Sequence, residues 1–133
     1  MVAVDVGACH GAVTKPLVEA VAPGGTVIAI EPHPDLAPAL SGLGATVLTV
    51  AVSDHEGEAV LYQSQQYEQN TLYLANVLEA RGDPIPVRLV TLDGLQARGE
   101  IPPRVDLLKI DAQGADGPIL RGAAHILCTQ RPV

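Results

Sequence analysis

At 133 residues the chain has room for one domain built on one core. Its formal charge of -7, with 8 Lys and Arg against 15 Asp and Glu, argues against nucleic acid or an anionic membrane as a partner. Hydrophobic residues make up 47%, yet Phe and Trp are absent, so the core must come from Val, Leu, Ile and Ala, a palette that favours parallel strands covered by helices.

The opening VAVDVGACHG, from Val2 to Gly11, is a β-branched apolar run that stops at Asp5 and passes two glycines, Gly7 and Gly11. It reads as a buried strand entering a tight turn and a helix. Glycines there let the backbone approach a ligand, and a helix start offers unpaired N–H groups. The spacing departs from the dinucleotide fingerprint G-x-G-x-x-G, because Cys9 stands at the second glycine and Ala12 follows Gly11. What remains, D-x-G-x-x-x-G, suits S-adenosylmethionine, which has no pyrophosphate to clamp, and places Asp5 to meet the ammonium of its amino-acid moiety. A strand-to-helix turn that binds nothing is the alternative.

Val13, Leu17, Val18 and Val21 form a helical stripe over Ala12–Ala22, with Pro16 tolerable only near the first turn. Pro23-Gly24-Gly25 ends it, and Thr26–Ile30 is a second apolar strand closing on Glu31-Pro32. Glu31 falls about twenty residues past Gly11, where a βαβ unit places an acid that accepts from ribose hydroxyls. A short helix over Asp35–Leu43 follows, with Asp35 as its N-cap. Thr46–Val52 is a third strand, ending in Ser53-Asp54. Asp54 could accept from the exocyclic amine of adenine, or could serve only the turn.

Glu58–Tyr62 alternates and reads as a strand hairpinned to its predecessor through Glu56-Gly57. The polar run Gln63–Asn70 is a candidate lid or substrate loop, or a solvated connection, and Thr71–Ala80 could be a helix. Pro86–Leu92 is β-rich, and Asp93 is expected to cap a short helix through Arg98. Val105–Ile110 is the next buried strand, closing on Asp111; Lys109 inside it is expected to pair with a carboxylate or meet a partly wet face. Pro118–Leu127 reads as the last helix, and Arg131-Pro132-Val133 as the first residues of another strand.

Cys9 and Cys128 fall in different elements, so neither a disulfide nor a metal site is expected from them. No apolar run approaches the roughly twenty residues that span a membrane. With a core strand at the start, no signal peptide is expected, and a cytoplasmic protein is the expectation.

The blocks VDVGACHG, VIAIEPHP, AVSDHEGEAVLY, NTL, VTLDGL and LLKIDAQGADGPILRGA, in this order, resemble the FkbM family of S-adenosylmethionine-dependent methyltransferases. The resemblance implies an α/β, Rossmann-like class I methyltransferase fold, a mainly parallel sheet flanked by helices. It implies O-methylation of a small-molecule acceptor such as a sugar or polyketide. Cofactor roles would fall to Asp5, Gly7, Gly11, Glu31, Ser53 and Asp54, and Asp111 would stand at the reacting edge. Asp5, Glu31 and Asp54 would then converge around one adenosyl-sized groove.

Departures from the family pattern are Cys9, where Asn is common, and Gln113, where Glu is common. An amide can hold a hydroxyl but cannot take its proton, leaving Asp111, His10 and Asp116 as candidate bases. The family pattern also continues beyond both ends, so residues 1–133 read as a single, partial methyltransferase domain, incomplete at the C-terminal side. The strand Val105–Ile110 would be left at an open edge, to be covered by missing chain or by a second copy. A methyltransferase-like module that binds without turnover is the rival reading. A nicotinamide-dependent oxidoreductase is disfavoured by Cys9.

Overall fold

The computed structural model describes residues 1–64, 70, 72 and 82–133. The expected helix over 71–80 and most of the expected lid at 63–70 therefore lie outside the described residues.

Four strands form a parallel sheet: β1 (Val2–Val6), β2 (Thr26–Ile30), β3 (Thr46–Leu48) and β7 (Leu107–Ile110), in the order β3-β2-β1-β7. β1 is central, paired from Val2↔Thr26 to Val6↔Ile30 on one side and from Ala3↔Leu107 to Val6↔Ile110 on the other. Its residues divide with a period of two. Val4 and Val6 join Ile28 and Ile30 in one core cluster, and Ala3 joins Val27 and Ala29 in another. A strand apolar on both faces must be covered on both, which is why the opening run shows no polar alternation. α1 (Thr14–Val21) and α2 (Ala37–Gly42) cover the second cluster through Val21 and Leu40. α3 (Leu92–Ala97), α4 (Asp116–Arg121) and α5 (Ala124–Gln130) supply Leu95, Ile119 and Ile126 to the first.

Expected strand three divides. β3 pairs with β2, whereas β4 (Ala51–Val52) pairs in parallel with β6 (Ile85–Val90) in a second sheet, completed by β5 (Gly57–Leu61) in the order β4-β6-β5. The β2 ladder ends where Glu31 N–H donates to Leu48 O at 3.1 Å, and Pro32, lacking an N–H, cannot extend it. β5 (Gly57–Leu61) is not hairpinned to its predecessor; it runs antiparallel to β6, from Gly57↔Leu89 to Leu61↔Ile85. Ala51, Leu61, Val87 and Leu89 bury together, so the apolar partner of β5 lies on β6.

Three helix boundaries also differ from expectation. His33, not Asp35, caps the second helical segment: its Nδ1 accepts from Asp35 N–H at 3.3 Å, opening a 3-10 turn (Pro34–Leu36) ahead of α2. Thr91, not Asp93, caps α3, its Oγ1 accepting from Gly94 N–H at 2.9 Å. The Asp93 carboxylate instead accepts from His125 N–H at 2.8 Å and Ile126 N–H at 3.1 Å, satisfying the start of α5. That donor demand arises because the last helix breaks at Gly122-Ala123 into α4 and α5. A Cβ on Gly122 would lie 2.1 Å from Ser53 O, so the break brings the two backbones into contact.

The β7 edge is partly occupied by the chain itself. Val133 N–H donates to Asp106 O at 3.0 Å and Val133 O accepts from Leu108 N–H at 2.9 Å, the alternation of a parallel ladder. The expected bare edge is corrected to that extent. Cys9 and Cys128 form no disulfide. Among the described residues no helix is long and apolar enough to cross a membrane.

Candidate functional site

A cleft of about 590 Å³, open to solvent, lies beyond the carboxyl ends of β1, β2 and β7. That is the position at which open parallel sheets bind ligands. Gly7 starts the turn after β1 with φ +74°, and its N–H and that of Ala8 both donate to Ile30 O, at 3.0 and 3.2 Å. A Cβ on Gly7 would stand 1.9 Å from Asp111 O, so the turns after β1 and β7 touch backbone to backbone and only glycine fits.

Glu31 projects from the tip of β2 into the cleft wall and is buried. Its Oε2 accepts from Cys9 N–H at 3.0 Å and its Oε1 from His33 N–H at 2.9 Å. Burial pushes its carboxyl above the ordinary range, opposed by those two N–H groups and by the nearby His33 and His10. Two of its roughly four acceptor positions remain for a ligand hydroxyl pair.

Asp111 also lines the cleft, its backbone N–H tied to Val6 O at 3.1 Å and its side chain exposed. Beside it Gln113 stands at φ +49°, and across the turn Cys9 stands at φ +47°. Both line the cleft, and both hold a left-handed backbone that L-residues adopt at a cost. The flank is apolar, from Val50, Val52, Leu61, Leu72 and Ile119. None of the described lining residues is basic.

The expected convergence of three acids is corrected: of Asp5, Glu31 and Asp54, only Glu31 reaches the cleft. Asp5 is fully buried behind the turn, where Thr14 Oγ1 donates to Oδ2 at 2.7 Å and Lys109 Nζ stands 2.9 Å from Oδ1. Lys109 also donates to Gly7 O at 3.0 Å, so the pair braces the glycine turn from beneath and has no access to a ligand's ammonium. The pairing expected of Lys109 is thereby met. Asp54 lies on the outer surface, bound by His55 Nδ1 at 2.8 Å and by Arg121 at 2.9 Å. The His55 contact first, then Arg121, hold its carboxyl down to about 2. Ser53 is buried in the joint with Gly122 and does not line the cleft.

The remaining expected residues separate in the same way. Gly11, at φ +82°, packs against the end of α2, where a Cβ would meet Leu43 Cδ1 at 2.4 Å, and it does not line the cleft. Asp116 Oδ1 accepts from Ala112 N–H at 2.9 Å and closes the turn that presents Gln113, and Asp116 does not itself line the cleft. His10 is exposed and outside the lining, near enough to influence Glu31. Pro32, Asn70 and Leu72 also line the cleft, none of them singled out by the sequence as a cofactor or catalytic residue. The signals for Asn70 were its polar neighbourhood, which a solvated loop shares, and its place in the NTL block.

The Methyltransferase FkbM domain matches residues 5–133 of this chain. The chain belongs to the FkbM methyltransferase family. No curated protein matches it. Among solved structures the fold is similar to the crystal structure of Methyltransferase FkbM from Methylobacillus flagellatus KT, determined at 2.20 Å, with a TM-score of 0.65 and 16% identity. The similarity covers 97% of this chain and 30% of that one, and at such identity it speaks for the fold alone. As an FkbM domain the molecule keeps a parallel sheet flanked by helices, with Glu31 and Asp111 at the tips of the two strands that flank β1, both lining one cleft.

Proposed function

We propose that the cleft binds S-adenosylmethionine and that the protein transfers its methyl group to a hydroxyl oxygen of a small-molecule acceptor, such as a sugar or polyketide. The observation that supports this most is Glu31, a buried carboxylate at the tip of β2 with spare acceptor capacity, beside a glycine turn and an apolar flank. Those features suit a ribose hydroxyl pair and a purine. A dinucleotide's pyrophosphate would want donors or cations that the described lining residues do not present as side-chain charge.

When bound, the cofactor supplies a sulfonium methyl that is already a strong electrophile. Alignment and removal of one proton are what remain for the chain. Asp111, exposed at the tip of β7 on the other side of β1, takes the acceptor proton; Gln113 beside it offers an amide to hold the hydroxyl in line. Calorimetric titration with S-adenosylmethionine and S-adenosylhomocysteine tests the site, and a methyl-release assay against hydroxylated acceptors tests turnover.

A second reading is favoured by one observation: the cleft position where the family pattern has Glu is occupied by Gln113, an amide. Under that reading the domain binds the cofactor without transferring its methyl. Binding without methyl release, unchanged by Gln113→Glu, would select it. Release that Asp111→Asn abolishes would select the enzyme.

A further inference from the structure

Asn70 lines the cleft, and its two amide ends have different fates. Oδ1 accepts from Ser64 N–H at 2.8 Å. A backbone N–H can only donate, so this contact settles which end is oxygen and turns Nδ2 the other way. Nδ2 is buried and has no hydrogen-bond partner among the described residues. A buried donor left unpaired is costly, and native structures keep few of them. Val50, Ala51, Leu61 and Leu72 of the same cleft wall offer apolar side chains. A bound molecule could supply the acceptor.

Its place in the cleft narrows which part of the molecule that is. Ser64 follows Gln63, whose Oε1 is 3.0 Å from His33 Nε2, two residues past Glu31. Asn70 is thereby tied to the β2 side of the cleft. Asp111 stands at the tip of β7, on the opposite flank of β1. The methyl-transfer end belongs with Asp111, and the β2 side with its apolar flank belongs to the purine. Asp54, expected to contact the base, is bound to His55 and Arg121 outside the cleft, which leaves the base without that polar contact.

We propose that Asn70 is a cofactor-specificity residue whose Nδ2 donates a hydrogen bond to a ring nitrogen of adenine. The inference rests on the cofactor reading above. The test is calorimetric titration of wild type and Asn70→Asp with S-adenosylhomocysteine and its three ring-deaza analogues, each with one adenine nitrogen replaced by C–H. Asp keeps the oxygen that Ser64 N–H needs and removes the donor. Affinity of Asn70→Asp for S-adenosylhomocysteine is expected to fall about tenfold or more. Wild type is expected to lose a comparable factor with one, and only one, of the analogues, and for that analogue Asn70→Asp should cause little further loss.

Equal affinity of wild type for S-adenosylhomocysteine and all three analogues overturns the proposal, whatever the variant does. So does a variant loss that is the same for every ligand. Failure of wild type to bind S-adenosylhomocysteine at all overturns the cofactor reading, and this proposal with it. Tight wild-type binding that is indifferent to the ring nitrogens overturns this proposal alone.

Discussion

The parallel sheet β3-β2-β1-β7 and the mixed sheet β4-β6-β5 differ in what holds them. In the first, β1 and β2 are buried over four of their five residues, and every ladder is parallel. In the second, β5 exposes three of its five residues, and a parallel and an antiparallel ladder meet on β6. Parallel strands buried on both faces end together at one edge of the sheet, and the turns leaving them make a cleft. The mixed sheet contributes wall, through Ala51, Val52 and Leu61. Ionic support follows the same division. The first sheet carries a buried Asp5–Lys109 pair beneath its glycine turn, whereas β6 and its neighbours carry exposed pairs such as Arg98–Glu56 and Arg88–Glu100.

That contrast is most easily broken at Lys109. Lys109→Met leaves the fully buried Asp5 without its cation and should lower unfolding free energy by about 3–5 kcal/mol, read from denaturant midpoints. Gly7→Ala is next. It combines a positive φ with a Cβ placed 1.9 Å from Asp111 O, for an expected loss of about 2–4 kcal/mol and loss of ligand binding. Gly122→Ala sharpens the comparison, because its φ of -73° is ordinary and only the contact with Ser53 O suffers. An expected loss of about 1–3 kcal/mol should come with cleft affinity retained, since neither Ser53 nor Gly122 lines the cleft. Arg121→Ala should barely move the midpoint at neutral pH, because Asp54 and Arg121 are solvent-screened. Asp54 has a lowered pKa, so its small contribution is present above the ordinary carboxylate value and lost as pH falls towards about 2. The difference between wild type and Arg121→Ala should therefore vanish in acid, and equally in high salt.

The parallel sheet was legible because its information is local. Val2–Val6 and Thr26–Ile30 are apolar runs that stop at turn residues, and Thr26–Ile30 is the observed β2. The mixed sheet was not, because its partners are far apart in the chain. Nothing within Gly57–Leu61 says that Ile85–Val90, and not Ala51–Val52, holds the matching apolar residues. The site divided likewise. Glu31 was legible as the acid ending a βαβ unit, and Asp111 as a strand-tip acid. Asp5 and Asp54 shared that pattern, but a sequence does not show which cation reaches an acid first. Lys109 came through β7 to Asp5, and Arg121 came from α4 to Asp54. Asp93 and Asp116 carried the same ambiguity and proved to satisfy backbone N–H groups.

The measurement closest to the centre of this account is S-adenosylhomocysteine affinity as a function of pH in wild type and Glu31→Gln. Burial raises the Glu31 pKa, so the charged form, the acceptor of two ribose hydroxyls under the proposed function, is lost on acidification at a pH above the ordinary carboxylate range. The same shift makes Glu31 favour folding most below the ordinary value and less as pH rises through the raised one, so weaker binding in acid cannot be put down to unfolding through this group. Wild type should bind at neutral pH and weaken on acidification, while Glu31→Gln binds weakly with a flat profile. Equal affinity in the two proteins, or a wild-type profile flat through that range, would contradict a cofactor site organised on Glu31.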